Sequence, residues 1–184
     1  TNQLLDFRKT ETKGFRLNFM DCNISKLIRE TYIRFNPAAL QRELNFEMNL
    51  PDEDFSAPVD KEALTKILSN LFNNAIKYAA SHIQVQLFPQ SADNNGYFSI
   101  TVSNDGQQIP SDMKETIFEP FVQIKNTSAG QPTVGTGIGL PLARSLAELH
   151  RGKLYLKESE EICFCIELPI NQKKAIQLPQ ESPD

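Results

Sequence analysis

The alternation of apolar and polar positions along the 184-residue chain predicts helices and strands in mixed order. Helical spacing of apolar residues marks four segments: residues 2–12, residues 24–33 with a cap within 21–25, residues 60–80 and residues 138–150. Strand-like patterns mark six others: residues 16–20, 45–50, 82–88, 97–103, 153–157 and 162–168. The polar residues 51–58 predict a connector, and residues 111–117 predict a short helix.

This order predicts an α+β fold, a two-layer α/β sandwich in which a mixed, mostly antiparallel sheet packs against about three helices. The last four strands form two consecutive pairs, and each pair predicts an antiparallel hairpin. Residues 127–136 are rich in Ser, Gly, Gln, Pro and Thr and predict a loose segment. From residue 171 onward Gln, Lys, Pro and Glu dominate, which predicts a linker or tail.

Composition excludes several classes of protein. An apolar fraction of 40% and a charged fraction of 23% are ordinary for a globular domain. The longest apolar run, residues 162–166, falls far short of the ~20 residues of a membrane span. A net charge of −4 argues against nucleic-acid binding. The three cysteines favour neither a disulfide framework nor a zinc site, and Cys163 and Cys165 share one strand face as small core residues.

The helix predicted over residues 60–80 carries the first chemical signal, three asparagines in five positions. At 100° per residue, Asn70, Asn74 and Lys77 line up at positions i, i+4 and i+7, opposite a broad apolar face. A solvated face is the alternative interpretation, although solvated faces usually carry Glu, Lys and Arg. Asn costs up to ~0.7 kcal/mol relative to Ala in a helix but offers a neutral oxygen to a hard cation. The stripe is therefore a candidate site for Mg²⁺ and an adjacent phosphate.

Three further motifs are ambiguous when each is taken alone. Gly135, Gly137 and Gly139 lie at the start of the last predicted helix, which suits either a phosphate at a helix N-terminus or a flexible hinge. Residues 104–110 (NDGQQIP) follow a strand and are typical of a turn. Residues 118–121 (FEPF) are typical of an apolar plug in a core or a lid.

In this order, the four motifs resemble the boxes of the histidine kinase ATP-binding domain, within the wider family of DNA gyrase, a heat-shock chaperone and a mismatch-repair ATPase. The asparagine helix resembles the N box, and the other three motifs resemble, in chain order, the G1, F and G2 boxes. The resemblance covers residues 16–170. It implies three segments: residues 1–14, the end of the second dimerisation helix; residues 15–170, the catalytic domain; and residues 171–184, a linker or tail.

The resemblance implies roles for individual residues. It assigns Mg²⁺ ligation to Asn74, phosphate contacts to Asn70 and Lys77, and an aromatic contact beside the nucleotide to Tyr78. The other residues implied to bind ATP lie in the G1, F and G2 boxes: Asn104, Gly106, Ile109, Phe121, Gly135, Thr136, Gly137, Ile138, Gly139 and Leu140. The implied cofactors are ATP and Mg²⁺, and residues 123–133 are implied to form a flexible ATP lid.

Two positions depart from the family pattern. Asn104 stands where the family has an adenine-binding Asp, and Gln108 stands where it has the second glycine of the G1 box. A hydrogen bond from the adenine amino group to the neutral Asn104 carbonyl is worth about 0.5–1.5 kcal/mol, against about 1.5–3 kcal/mol for a charged acceptor. We therefore expect adenine selectivity with modest affinity. We do not expect Asp105 to replace Asn104, since successive residues leaving a strand point to opposite sides.

The implied function is the ATP-binding catalytic module of a sensor histidine kinase in two-component signal transduction. His82 and His150 lack the neighbours of a phosphoacceptor motif and are interpreted as surface or capping residues. The acceptor histidine is therefore expected on a dimerisation domain of the same parent chain, and the fragment is expected to be inactive alone. The expected partners are that domain and a response regulator receiver domain, without nucleic acid, in a homodimeric parent. The parent is expected to be membrane-anchored, with this domain on the cytoplasmic side.

Two alternatives stay open. A self-sufficient ATPase needs a general base to activate water, and its relatives carry a Glu four residues before the metal-binding Asn. Here Asn70 occupies that position and cannot accept a proton, which disfavours hydrolysis. The other alternative is a non-catalytic nucleotide-binding or interaction module with a degenerate site, which the departures at Asn104 and Gln108 keep open.

Overall fold

A computed structural model describes residues 3–11, 16–90, 96–122 and 137–172 of the chain. Its helices are α1 (Gln3–Glu11), α2 (Ile24–Gln41), α3 (Lys61–Tyr78) and α4 (Gly139–Leu149). Its strands are β1 (Met20–Asn23), β2 (Asn45–Asn49), β3 (Ser56–Val59), β4 (His82–Phe88), β5 (Tyr97–Asn104), β6 (Lys153–Lys157) and β7 (Ile162–Pro169). Two 3₁₀ turns, Ser111–Met113 and Thr116–Phe118, replace the short helix predicted over residues 111–117.

The two long helices begin at capping side chains, as their sequences predict. The Asn23 side chain accepts the N–H of Lys26 at 2.9 Å at the start of α2. The Asp60 carboxylate accepts the N–H of Ala63 at 3.0 Å at the start of α3. Such caps satisfy N–H groups that have no partner within the helix.

The main sheet has the strand order β2-β4-β5-β7-β6, with β2 and β4 parallel and every other neighbouring pair antiparallel. Helix α2 contacts β2, α3 contacts β5, and α4 contacts β6 and β7. The three helices also pack side by side, α2 on α3 and α3 on α4. The predicted two-layer α/β sandwich with a mixed, mostly antiparallel sheet is therefore confirmed.

Side chains of the central strands alternate between the two faces of this sheet. In β5 and β7, Ile100 pairs with Ile166 on the face that belongs to the hydrophobic core. Thr101 pairs with Cys165 on the opposite face, and burial raises the pKa of the Cys165 thiol to about 11. Cys163 and Cys165 are buried on one face, as predicted, but they lie outside the main core cluster.

The N-terminal strands differ from the prediction. Residues 16–19 are not strand, and β1 begins at Met20, where the predicted edge strand was to end. Its partner is β3, with Met20 opposite Val59 in a separate antiparallel sheet of two strands. Strand β3 was not predicted, because its four residues include Pro58 and mostly lie in the stretch predicted as a polar connector, which obscures the strand pattern.

Several sequence-based expectations lie outside the described residues. These are the ends of the first predicted helix, the loose segment at residues 127–136 with the implied lid, and the tail from residue 173. The three-segment division of the chain stays a prediction. In the described ranges, no helix combines the length and the apolar character needed to cross a membrane.

Candidate functional site

The polar face of α3 lies beside the first turn of α4. Asn70 is buried, with 8% of its surface exposed, and its Oδ1 would lie 3.1 Å from a Cβ added to Gly139. Asn74 is half-buried, while Lys77 is exposed with its Nζ 5.2 Å from the centroid of the Tyr78 ring. The structure thus brings together residues that the sequence assigned to two separate motifs.

Helix α4 begins without a side-chain cap from the described residues, with the buried Ile138 at its N-cap position. The first N–H groups of a helix have no partner within it, and such groups commonly bind an anion. Gly137 adopts φ +69°, and a Cβ there would lie 2.7 Å from the Cα of Phe121. The Phe121 N–H donates to the Gly137 carbonyl at 2.9 Å, so glycine is required for this close approach. Leu140 packs against the core.

The turn after β5 lies at the C-terminal end of α3, beside Tyr78. Asn104 is 1% exposed, and its Oδ1 accepts the N–H of Gly106 at 2.9 Å. A Cβ on Gly106 would lie 2.2 Å from the Tyr78 carbonyl oxygen, so the turn packs directly against the last residue of α3. Ile109 is partly buried and packs against the core. Tyr78, Asn104 and Gly106 therefore form one contiguous region.

The Asp105 carboxylate is directed away from this turn, toward the loop between α3 and β4. Its Oδ1 accepts the N–H groups of Ala80, Ser81 and His82 at 3.0, 2.9 and 3.0 Å. Although burial raises the pKa of Asp105, these hydrogen bonds and the His82 ring hold it well below its usual range. That Asp105 does not replace Asn104 stays a prediction, and this arrangement supports it.

Helix α1 contacts the polar face of α3, which the sequence did not predict. The Gln3 amide donates to Asn70 Oδ1 at 2.7 Å, and Lys66 Nζ lies 2.9 Å from Asp6 Oδ2. Phe7 is buried against the domain. A cavity of about 580 Å³ lies along this contact, lined in part by Gln3, Lys66 and Asn70. No local pattern could have paired residues that lie 60 or more positions apart.

The two histidines occupy different environments. His82 is partly exposed, with its Nε2 2.8 Å from a carboxylate oxygen of Glu161. His150 is fully buried at the C-terminal end of α4, so its interpretation as a surface or capping residue is correct only for the cap position. It accepts the Asp60 N–H at 3.2 Å and bonds the Leu146 carbonyl at 2.7 Å. Burial lowers the pKa of His150, so its ring is held neutral.

Two implied nucleotide contacts, Gly135 and Thr136, lie outside the described residues. Ile109 packs against the core and Phe121 hydrogen-bonds to Gly137, and the remaining implied residues fall into two regions of the structure. One region comprises Asn70, Asn74 and Lys77 on α3 with the residues at the start of α4. The other region is the turn at residues 104–106 against Tyr78.

Comparison with known sequences decides the family. The sequence profile described as "Histidine kinase-, DNA gyrase B-, and HSP90-like ATPase" matches residues 59–172. The chain belongs to this family of ATPases. The matched segment contains α3, the turn after β5 and α4, and the resemblance drawn from the four motifs is confirmed.

Several members of this ATPase family are similar to the chain. The histidine kinase P4 of Formosa agariphila is 30% identical over 175 residues, which is 93% of this chain and 13% of P4. The nucleotide-free catalytic domain of the histidine kinase ThkA is 28% identical with a TM-score of 0.73, over 86% of this chain and 99% of that domain. A complex of ThkA with the response regulator protein TrrA gives 25% identity and a TM-score of 0.72, over 94% of this chain and 48% of the ThkA chain.

Full-length ShkA in complex with AMPPNP has the same fold, with a TM-score of 0.78 at 23% identity over 91% of this chain and 34% of ShkA. The chain spans between 10% and 40% of the length of the full-length relatives that it matches. The family and the fold are therefore established for a part of such proteins.

Proposed function

We propose that this chain is the ATP-binding catalytic module of a sensor histidine kinase. It binds Mg·ATP and presents the γ-phosphate to a histidine on a dimerisation domain of the parent chain, in two-component signal transduction. The observation that best supports this proposal is the close approach of Asn70 to Gly139, because it joins the polar face of α3 to the N-terminus of α4, which no side chain of the described residues caps.

The chain's own residues position the nucleotide in this proposal. Main-chain N–H groups at the start of α4 donate to phosphate oxygens, since they have no partner within the helix. The Lys77 ammonium and the Asn70 amide lie on the same side of α3 and stabilise the phosphate charge. Asn104 and Gly106 contact the base at the opposite end. Catalysis then consists of positioning and charge stabilisation, with the nucleophile supplied by another domain.

The residues present fit a Mg²⁺ ion as a partly protein-bound cofactor. Asn74 offers one half-buried amide oxygen on the polar face of α3. Proteins commonly give Mg²⁺ one or two oxygen ligands and leave the others to phosphates and water. Within the described part of the chain, no cluster of three or more His, Cys, Asp or Glu side chains could form a closed metal site. Asn74 would therefore hold the ion together with the phosphates, and the bound ion would neutralise phosphate charge.

The remaining partners are expected to interact with the whole parent protein. A receiver domain of a response regulator takes the phosphoryl group from the histidine, and the ThkA–TrrA complex supports that assignment. The parent is a membrane-anchored homodimer with this domain in the cytoplasm. The proposed module comprises residues 15–170, between the end of the dimerisation helix and a linker.

The experiment is a phosphotransfer assay with ATP labelled at the γ-phosphorus and Mg²⁺. The chain is incubated alone, with the dimerisation domain encoded upstream in its gene, and with that domain after its acceptor histidine is changed to Gln. We expect acid-labile, alkali-stable label on the unchanged dimerisation domain only. Label on the chain itself would contradict the proposal. Release of phosphate without label on the dimerisation domain would favour an ATPase. Nucleotide binding with neither label nor phosphate release would favour a non-catalytic module.

A further inference from the structure

Asp105 connects two segments that flank the base end of the proposed site. Its carboxylate accepts three consecutive main-chain N–H groups, from Ala80, Ser81 and His82, at 2.9–3.0 Å. The Ser81 hydroxyl also donates to Oδ2 of the same carboxylate. These are the residues at which the chain leaves α3 and enters β4, so a single carboxylate fixes the end of α3.

Asp105 lies between Asn104 and Gly106, and Gly106 contacts the end of α3. On one side, Asn104 accepts the Gly106 N–H at 2.9 Å. On the other, Gly106 lies so close to the Tyr78 carbonyl that a Cβ would come within 2.2 Å of that oxygen. A small displacement of the loop after α3 would therefore move Tyr78 relative to Asn104.

Two further contacts connect this region to the loop between β6 and β7. His82 Nδ1 lies 3.3 Å from Asp105 Oδ2, and His82 Nε2 lies 2.8 Å from Glu161 Oε1. The Gln108 amide donates to the Glu160 carbonyl. The turn is thus held from α3 on one side and from the last hairpin on the other.

We propose that Asp105 is a positioning residue of the nucleotide site, which sets nucleotide affinity by fixing the turn at Asn104–Gly106 against the end of α3 without touching the nucleotide. This inference rests on the proposed function, because it takes the base to lie at Asn104. A carboxylate suits this role because it has two accepting oxygens with about four lone-pair sites. An Asn in its place would have one accepting oxygen and no charge.

The test measures ADP affinity by calorimetry in the presence of Mg²⁺, at a temperature at which circular dichroism shows every variant folded. The variants are Asp105→Asn, which keeps one acceptor, and Asp105→Ala, which keeps none. Asp54→Asn is the matched control, because Asp54 is also a multiply hydrogen-bonded carboxylate, with Arg29 and Asn23 as its partners, but lies outside the site.

We expect ADP to bind about tenfold more weakly to Asp105→Ala and about threefold more weakly to Asp105→Asn, with Asp54→Asn equal to the wild type. A purely structural role would lower the thermal midpoint of all three variants and leave the affinity of the folded protein unchanged. The inference would be overturned, and the proposed function left standing, if Asp105→Ala bound ADP with wild-type affinity or if Asp54→Asn lost as much ADP affinity as Asp105→Asn. Failure of the wild-type chain to bind ADP would overturn the proposed function as well.

If neither Asp105 variant folds, variants of Ser81 test the same inference, because the Ser81 hydroxyl donates to the Asp105 carboxylate. Ser81→Ala removes one donor to the carboxylate but keeps the main-chain hydrogen bonds, and Ser81→Thr restores a hydroxyl. We expect about twofold weaker ADP binding in Ser81→Ala and recovery in Ser81→Thr. Equal affinity in the two variants and the wild type would overturn the inference.

Discussion

The C-terminal end and the middle of α3 are held by different kinds of contact. At the C-terminal end, the base-side region (residues 104–106 with 78–82) is fixed by main-chain hydrogen bonds to Asp105 and by the close approach of Gly106 to the Tyr78 carbonyl. In its middle, the phosphate-side region (Asn70, Asn74 and Lys77 with the start of α4) combines side chains of α3 with the main chain of α4, and Asn70 also bonds to α1.

Because of this difference, a movement of α1 would affect the two regions unequally. The hydrogen bonds of the base-side region join residues 80–82 to Asp105 and Asn104 to Gly106, and none of them involves α1. The phosphate-side region shares Asn70 with Gln3 of α1, the helix that the resemblance implies to be the end of the dimerisation helix. A movement of α1 would therefore change the hydrogen bonding of Asn70 and leave the turn at Asn104 unchanged.

Gly106→Ala should show the largest effect. The new Cβ would lie 2.2 Å from a main-chain oxygen that cannot move without displacing the end of α3. We expect a loss of about 3 kcal/mol in the free energy of unfolding, measured by urea denaturation, together with loss of ADP binding.

Gly139→Ala is the matched variant in the phosphate-side region. Its Cβ would meet a side-chain oxygen of Asn70 at 3.1 Å, which can shift by a few tenths of an ångström, and Ala is the better helix former. We expect its free energy of unfolding to stay within about 1 kcal/mol of the wild type. Equal destabilisation by the two substitutions would contradict the distinction between the regions.

Asn74→Ala should remove the Mg²⁺-dependent part of ADP affinity. Asn74 is the proposed protein ligand of the ion and lies on the polar face, so we expect binding at least about tenfold weaker and an unchanged thermal midpoint. Asn73→Ala is the control, since Asn73 is exposed on the adjacent position of α3. Full Mg²⁺-dependent affinity in Asn74→Ala would refute the assignment.

Acid should destabilise the α3–α4 pair that carries the phosphate-side region. The folded protein lowers the pKa of His150, so the unfolded state binds the proton more tightly, and stability is lost as the pH falls below about 6.5. We expect the thermal midpoint to fall between about pH 7.5 and about pH 5.5. His150→Gln should be less stable at the higher pH but should lose less on acidification, and an equally steep dependence would exclude His150 as the titrating group.

Asn104→Asp should have a smaller effect of opposite sign. In the wild type the single amide oxygen already accepts the Gly106 N–H, whereas an Asp would bring a second oxygen for the base. We expect ADP to bind about fivefold more tightly, a difference of about 1 kcal/mol. Unchanged or weaker ADP affinity in Asn104→Asp would contradict the placement of the base at Asn104.

The phosphate-side region was largely predictable from the sequence because its signals are local. Asparagines at helical spacing define the polar face of α3, and glycines define the start of α4. The contact between these two faces, Asn70 against Gly139, depends on how the helices pack and was not predicted.

The base-side region was predictable only in part. The turn at residues 104–110 was recognised, but its hydrogen bonds were not, because the partners of Asp105 lie 23 to 25 positions earlier in the chain. The same limit applies to Gln3 and Asn70, which are 67 positions apart. Hydrogen bonds between polar groups that are far apart in the sequence leave no periodic pattern. The apolar faces of the helices do leave one, and it allowed the helices to be predicted.

In the proposed function the two regions bind one nucleotide, and an amide NMR titration with ADP and Mg²⁺ can show whether they do. The main-chain amides of Gly106 and Gly139 report on the base-side and phosphate-side regions separately. We predict that both signals shift with the same midpoint and reach saturation together. A shift of only one signal, or two different midpoints, would contradict a single shared site.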